Sequence, residues 1–411
     1  TLIGRALDLG AYGVVVPLVN TAAEAGAAVR AATYPPRGAR SWGPIRGTLY
    51  GGPDYYARAA AEVMIVAMIE TAGAVERAAA IMATPGIDAC LIGPNDLSIS
   101  YGLPPEATLT LLNVSENATY AVDNPATGQR TVLRLHRHGY HDGPEIESEL
   151  GWLDALREDA GIRTPRVLPA PDGRRLLAMP EQGARDPRYV VHFEWLPGSE
   201  PDQAGPRLVG DFELLGEITG RMHAHVRGWH RPPGFRRFAW DYDGAFGRVA
   251  RWGRWQDGVA VGAAEREVLG RLDASLSKRL ARFGSGPHRY GLIHADLRLA
   301  NLLVDGDRTY VIDFDDCGWG WFLYDFGAAV SFFEHDPRVP ELADAWCRGY
   351  RRVSPLKAED EAELPTFVLM RRLLLVAWIG SHAGTELAQS MGAEYTATSC
   401  ALAEDYLTRH G

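Results

Sequence analysis

Basic residues, paired cysteines and long apolar runs are all scarce in this 411-residue chain, and each scarcity removes a class of function. Lys and Arg number 42 against 52 Asp and Glu, for a net charge of −10. No lysine- and arginine-rich face is therefore expected to neutralise a phosphate backbone, and no nucleic-acid partner is expected. The acidic balance mildly favours cationic small substrates. The four cysteines, Cys90, Cys317, Cys347 and Cys400, lie far apart without a CxxC pair. That argues against a zinc knuckle or a disulfide scaffold and predicts a reducing, cytoplasmic setting. The longest apolar run, around residues 373–379, is flanked by arginines and falls short of the roughly 20 residues that cross a bilayer. It reads as a core helix, with no membrane partner. The histidines at 136, 138 and 141 and at 223, 225 and 230 lack the spacing of a metalloprotease pair and read as packing or solvated side chains. The chain opens at Thr1 with no signal-peptide pattern and no initiator methionine, which predicts that some upstream sequence is missing.

What is present divides into two textures that meet near residue 100. Residues 13–19, 63–69 and 89–92 are short β-branched-rich runs, and alanine-rich helical stretches follow the first two at 21–32 and 71–83. That alternation predicts βα units on a parallel sheet. Beyond Pro104 and Pro105, residues 109–112, 119–122 and 131–135 read as antiparallel strands with turns at 113–117 and 124–128. From about Asp211 the chain reads as mostly helical. The expected domains are a βα segment over 1–100, a β-rich lobe over 101–196 and a helical lobe over 197–411.

The chemistry is concentrated in His294-Ala-Asp296-Leu-Arg298-Leu-Ala-Asn301, followed by Tyr310-Val-Ile-Asp313-Phe-Asp315-Asp316. An Asp and an Asn five residues apart on a loop, then an apolar strand ending in Asp, provide what phosphoryl transfer requires. Asp296 would be a base for a substrate hydroxyl, with Asn301 and Asp313 as oxygen ligands for Mg²⁺. Arg298 is a catalytic candidate beside that base. Upstream, Arg134 lies in a strand-like run where a kinase carries the cation for the α- and β-phosphates. Glu149 shares a helical stripe with Ile146 and Leu153, and a carboxylate on a buried stripe needs a cationic partner. Arg134 is one candidate partner, and a solvated Glu149 is the alternative. Ser115 and Asn117 lie between two strands and either cap phosphates or form a plain polar turn. Glu194 to Leu196 follow a strand and offer backbone groups to an adenine edge.

From about 101 to 411 these features, in this order, resemble the phosphotransferase enzyme family that includes aminoglycoside phosphotransferases, choline kinases and homoserine-kinase-like proteins. The resemblance implies a bilobal protein-kinase-like fold, ATP and Mg²⁺ as cofactors, and a small-molecule hydroxyl as acceptor. It makes Asp296 the catalytic base, Asn301 and Asp313 the metal ligands, and Asp325 a structural carboxylate. The sequence departs from the usual pattern at Arg134, where lysine is usual, and at Asp313-Phe-Asp315. Asp315, Asp316, Glu334 and Asp336 would make the acceptor side acidic and suit an amino alcohol or aminoglycoside.

The first segment has acidic marks of its own. Glu70 follows the run 63–69, and Asp96 follows the run 89–92 in Ile92-Gly-Pro-Asn-Asp96, so two carboxylates end successive parallel strands. With Val16-Pro-Leu-Val-Asn20-Thr and Tyr34-Pro-Pro-Arg-Gly-Ala-Arg40-Ser-Trp-Gly-Pro, this segment resembles the HpcH/HpaI aldolase/citrate lyase family. Those enzymes are (β/α)₈ barrels, and the resemblance makes Glu70 and Asp96 the ligands of a second divalent cation. Only about three βα units are present, which leaves open sheet edges and an apolar face that something must cover. The expected function is a small-molecule kinase. The alternatives are aldolase chemistry from the first segment and a non-catalytic nucleotide-binding pseudokinase.

Overall fold

The computed structural model describes the chain apart from residues 44–45, 72–73, 75–76, 93–103, 105, 115–116, 180–186, 249, 383–385 and 411. Two compact units form, one from residues 1–143 and 167–195 and the other from 144–166 and 196–411.

The first unit holds two sheets. Strands β1 (Gly13–Val16), β2 (Met64–Ile69) and β3 (Ala89–Ile92) pair in parallel in that order. The helix Ala22–Ala32 starts at a capping box, in which Thr21 and Glu24 each accept the other's backbone N–H and so satisfy two orphan donors. β1 ends at Val16, short of the expected 19, because Pro17 has no N–H for the ladder and Leu18 takes a φ of +54°. The second sheet is antiparallel, with β4 (Thr108–Val114), β5 (Ala118–Asn124), β6 (Gln129–Leu135), β7 (Leu176–Met179) and β8 (Arg188–Glu194) in the order β4-β5-β6-β8-β7.

The apolar face left by three βα units is covered from within the chain. Val19, Ala25, Ala67, Ile69, Ala74 and Ile81 share one buried cluster with Val122, Leu133 and Val190 of the antiparallel sheet. Register explains the choice of face. Tyr120 pairs with Leu133 and Leu135 with Val190, and residues directly opposite lie on one face, so these side chains point together toward the βα segment. Arg134, the next residue, points to the other face. It is 6% exposed, with its guanidinium 5.1 Å from the Phe193 ring centre.

His192 pairs with Leu133 and so lies on the covered face, its Nε2 2.8 Å from Thr131 Oγ1. Burial pushes its pKa down to about 4.

The second unit is mainly helical, with Gly143–Asp159, Leu208–Gly228, Ala263–Phe283, Val339–Arg351, Leu364–Ser381 and Glu386–His410, the last kinked at Gly392. Helices Leu208–Gly228 and Val339–Arg351 cross in near backbone contact. A Cβ at Gly216 would lie 2.0 Å from Trp346 O, and one at Gly349 would lie 1.8 Å from Glu213 O. No side chain fits at either crossing point. Leu364–Ser381 falls in the one stretch of the described residues long and apolar enough to cross a membrane, and 83% of the most apolar 18-residue part of that stretch is buried inside the protein. Apart from the buried Arg371 and Arg372 it is apolar on all sides, because its neighbours cover it. Two short antiparallel pairs complete the unit, β9 (Tyr290–Ile293) with β12 (Gly318–Trp321) and β10 (Leu302–Asp305) with β11 (Arg308–Val311).

Candidate active site

The segment after β9 is held by one buried carboxylate. Asp325, fully buried at the start of the helix Tyr324–Ala329, accepts the backbone N–H groups of His294 at 3.2 Å and Ala295 at 2.7 Å. It also accepts the Nε2–H of His223 at 3.0 Å. His223 comes from the helix Leu208–Gly228, lies on the Phe322 ring, and has Nδ1 3.1 Å from Tyr350 Oη. The two helices that cross at the glycines thus also meet at His223 and Tyr350. His294 is also fully buried, with Nε2 on Ile312 O at 3.1 Å and Nδ1 facing the backbone N–H of Asp296 at 3.3 Å. These bonds use each ring as one donor and one acceptor, which is the neutral imidazole.

Burial pushes both His223 and His294 below their ordinary value, against the pull of Asp325. The unfolded chain, with ordinary histidines near 6.5, therefore takes up protons before the folded one does. The stability these groups contribute is present above that pH and declines as pH falls below it. Urea midpoints are expected to drop between pH 7.5 and pH 5.5; an unchanged midpoint would count against neutral, buried histidines. His192 adds to this loss down to about pH 4.

Asp296 follows Ala295, which takes a φ of +68°, and its carboxylate receives three side-chain donors. Arg371 Nη2 donates to Oδ1 at 2.5 Å, Asn301 Nδ2 to Oδ2 at 2.9 Å, and Arg298 Nε to Oδ2 at 3.3 Å. Burial raises the pKa of this carboxyl, but the Arg298 and Arg371 guanidiniums outweigh it and hold the group below the ordinary carboxylate value. Asp296 is thus an ionised carboxylate near neutral pH. Asn301 also donates Nδ2 to Asp296 O at 2.7 Å, so its amide nitrogen is used locally and its Oδ1 is the atom left for a cation.

The segment after β11 turns at Asp313, which has a φ of +61° and is exposed. That turn sends Phe314 inward between Trp152 and His294, at ring separations of 5.5 and 4.4 Å. The loop beyond is pinned from the 230s. Arg237, buried, donates Nε to Cys317 O at 2.5 Å, Nη1 to Glu145 O at 3.1 Å and Nη2 to Asp315 O. Trp240 Nε1 donates to Asp316 O at 2.7 Å.

The acidic acceptor side expected from the sequence is smaller than its four carboxylates suggest. Glu334 is buried against Arg372 and the Tyr395 hydroxyl, the latter at 3.2 Å. Asp336 is bridged by Arg338 at 2.7 Å, and hydrogen bonds from that guanidinium hold its pKa down at about 2. Each carries its own counterion, so neither adds much field to an acceptor.

The remaining candidates fall as follows. Glu149 is fully buried on the stripe with Ile146, Leu150 and Leu153, as the helical phase requires. Asn117 accepts the Arg137 backbone N–H on Oδ1 at 2.8 Å, which commits that oxygen to the end of β6. Glu194 and Leu196 are partly exposed at the end of β8 and just beyond. Ser115 and Asp96 lie outside the described residues. Glu70 is 5% exposed and accepts the Leu18 N–H at 2.6 Å. Among the described residues no group of three or more His, Cys, Asp or Glu side chains gathers as a metal site, so a cation at the 301–313 loops would rely on an amide oxygen. Two residues central to this arrangement, Arg371 and Arg237, were not singled out from the sequence. Arg371 had a signal, since paired arginines inside an apolar helix must find acceptors.

An ionised loop carboxylate tied to an asparagine five residues on, with a second loop turning at Asp313, is the order of groups expected of a phosphotransferase. The model of the phosphotransferase enzyme family matches residues 108–362, and the chain belongs to that family as a small-molecule kinase. The solved structure of a microcompartment-associated aminopropanol kinase is 51% identical with a TM-score of 0.71, covering 77% of this chain and 98% of that one. An amicoumacin kinase solved with AMP-PNP and Ca²⁺, 22% identical with a TM-score of 0.59, covers 72% of this chain and 87% of that one and shares the fold. The HpcH/HpaI aldolase/citrate lyase model matches residues 1–129. A 4-hydroxy-2-oxovalerate aldolase of Novosphingobium aromaticivorans is 50% identical over 102 residues, 25% of this chain and 39% of the aldolase. The chain thus spans about two-fifths of the aldolases it matches.

Proposed function

We propose that this kinase transfers the γ-phosphoryl group of ATP, with Mg²⁺, to the hydroxyl of a small amino alcohol. The observation that carries this reading is the Asp296 carboxylate, ionised and fixed by Arg371 and Asn301. The 51% identity to an aminopropanol kinase supports the acceptor class. A carboxylate offers about four lone-pair positions, and three are taken. The position left on Oδ1 would receive the acceptor hydroxyl, orient it and take its proton as the new P–O bond forms. Asn301 Oδ1 and the exposed Asp313 carboxylate fit a divalent cation, as two hard oxygen donors on adjacent loops. Bound there, Mg²⁺ would neutralise charge on the β- and γ-phosphates. Arg298, more exposed than Arg371 at 30% against 2%, would follow the transferred group. Arg134, Glu149, Ser115, Asn117 and the backbone at Glu194 to Leu196 are proposed as the nucleotide-binding set. The ammonium of the acceptor would be favoured by the chain's acidic balance.

The test is ADP release with Mg²⁺ across 1-amino-2-propanol, ethanolamine, choline, homoserine and an aminoglycoside. The expected result is the highest kcat/KM on an amino alcohol. Equal or better turnover of the aminoglycoside would overturn the acceptor assignment, and ATP binding without turnover of any of them would favour a pseudokinase.

A further inference from the structure

Arg371 lies 75 residues beyond Asp296, in the largely buried helix Leu364–Ser381, and all three of its guanidinium nitrogens are engaged. Nε donates to Ser331 Oγ at 3.1 Å, and Nη1 to Ala295 O and to Tyr324 Oη, each at 3.2 Å. Nη2 donates to Asp296 Oδ1 at 2.5 Å. The group also lies 5.0 Å from the Trp252 ring centre. Four acceptors, one of them the carbonyl of Ala295 at φ +68°, fix the fork in one orientation. We infer that Arg371 is a positioning residue for phosphoryl transfer, a built-in counterion whose fork sets the angle of the Asp296 carboxylate and leaves one lone pair of Oδ1 for the acceptor hydroxyl. The inference rests on the kinase reading above and deepens it.

Arg372 makes the comparison internal. It is as buried as Arg371, yet it turns away from the site, to Glu334, to Ser399 Oγ at 2.7 Å and to Tyr395 O at 3.2 Å. A role for Arg371 in packing alone predicts equal consequences for the two residues. A role in orienting the base predicts unequal ones. Arg298 could not substitute for Arg371, because it approaches the other oxygen, Oδ2, at 3.3 Å from a half-open position.

Two measurements test this, and one of them needs no turnover. In steady-state kinetics, with wild type and Asp296→Asn run in parallel to secure the kinase reading, Arg371→Lys should lose at least about tenfold in kcat and Arg371→Met about a hundredfold, since misaligned reacting groups cost that much. KM for ATP should stay within about twofold, as expected for an interaction made at the transition state. Added guanidinium should restore part of the Arg371→Met activity, while Arg372→Met should lower stability with kcat per folded molecule within about threefold of wild type. In urea unfolding, Arg371→Met and Asp296→Asn should be non-additive, the double variant unfolding at a higher midpoint than the two single shifts combined predict. Wild-type kcat in Arg371→Lys, or equal kcat losses in the two methionine variants, would overturn the inference. So would additive urea shifts, even if the kinase reading itself failed and no acceptor turned over.

Discussion

Asp296→Asn is expected to lower kcat on the order of 10²- to 10⁴-fold, the range for removing a positioned general base, while KM for ATP changes little. Asparagine keeps the size of the side chain and one acceptor oxygen, enough to hold Arg371, while Asn301 keeps only its bond to the Asp296 carbonyl, so the variant loses the charge, the proton acceptor and the donors on Oδ2. The variant should fold with a lowered thermal midpoint, because the buried Arg371 keeps a hydrogen-bond acceptor but loses its anionic partner. Burst and steady-state kinetics on the preferred acceptor would read this. A kcat within about fivefold of wild type would remove Asp296 from the chemistry, since so small an effect falls below general-base contributions.

Asp325→Ala is expected to be the most destabilising single change near the site. The alanine would leave the His294 N–H, the Ala295 N–H and the His223 Nε2–H without their acceptor in a fully buried place. An orphaned buried donor costs about 1–3 kcal/mol, and here three are orphaned together. The two residues whose amides it holds are those that place Asp296. Any folded fraction should therefore also show a reduced kcat, unlike a variant that is merely unstable. Urea unfolding gives the first quantity and kcat per folded molecule gives the second. A variant with both near wild type would show that the loop is held by other means.

The kinase order was legible because its signals are local. An Asp and Asn at a spacing of five, then a strand ending in Asp, keep their meaning within about 20 residues of chain. The βα texture of the first 100 residues was legible for the same reason, as was the core helix ending at Ser381. What could not be read were relations set by distant pairing. Which face of the antiparallel sheet covers the βα segment follows from the register that places Leu133 opposite Tyr120, and a shift of one residue would have exposed the other face. Arg371 reaches Asp296 across 75 residues, and Arg237 reaches the 315–317 carbonyls across about 80. Glu334 and Asp336 looked like open acidic charge because their arginine partners could not be assigned. The end of β1 at Val16 was within reach, since Pro17 was in plain view.

The most direct test of the central claim is mass-spectrometric detection of product after incubating the enzyme with ATP, Mg²⁺ and 1-amino-2-propanol, with Asp296→Asn as the control. The account predicts a phosphorylated amino alcohol that accumulates in step with ADP and is absent from the control. ADP formation with no phosphorylated acceptor, or equal product from wild type and the Asp296→Asn variant, would contradict it.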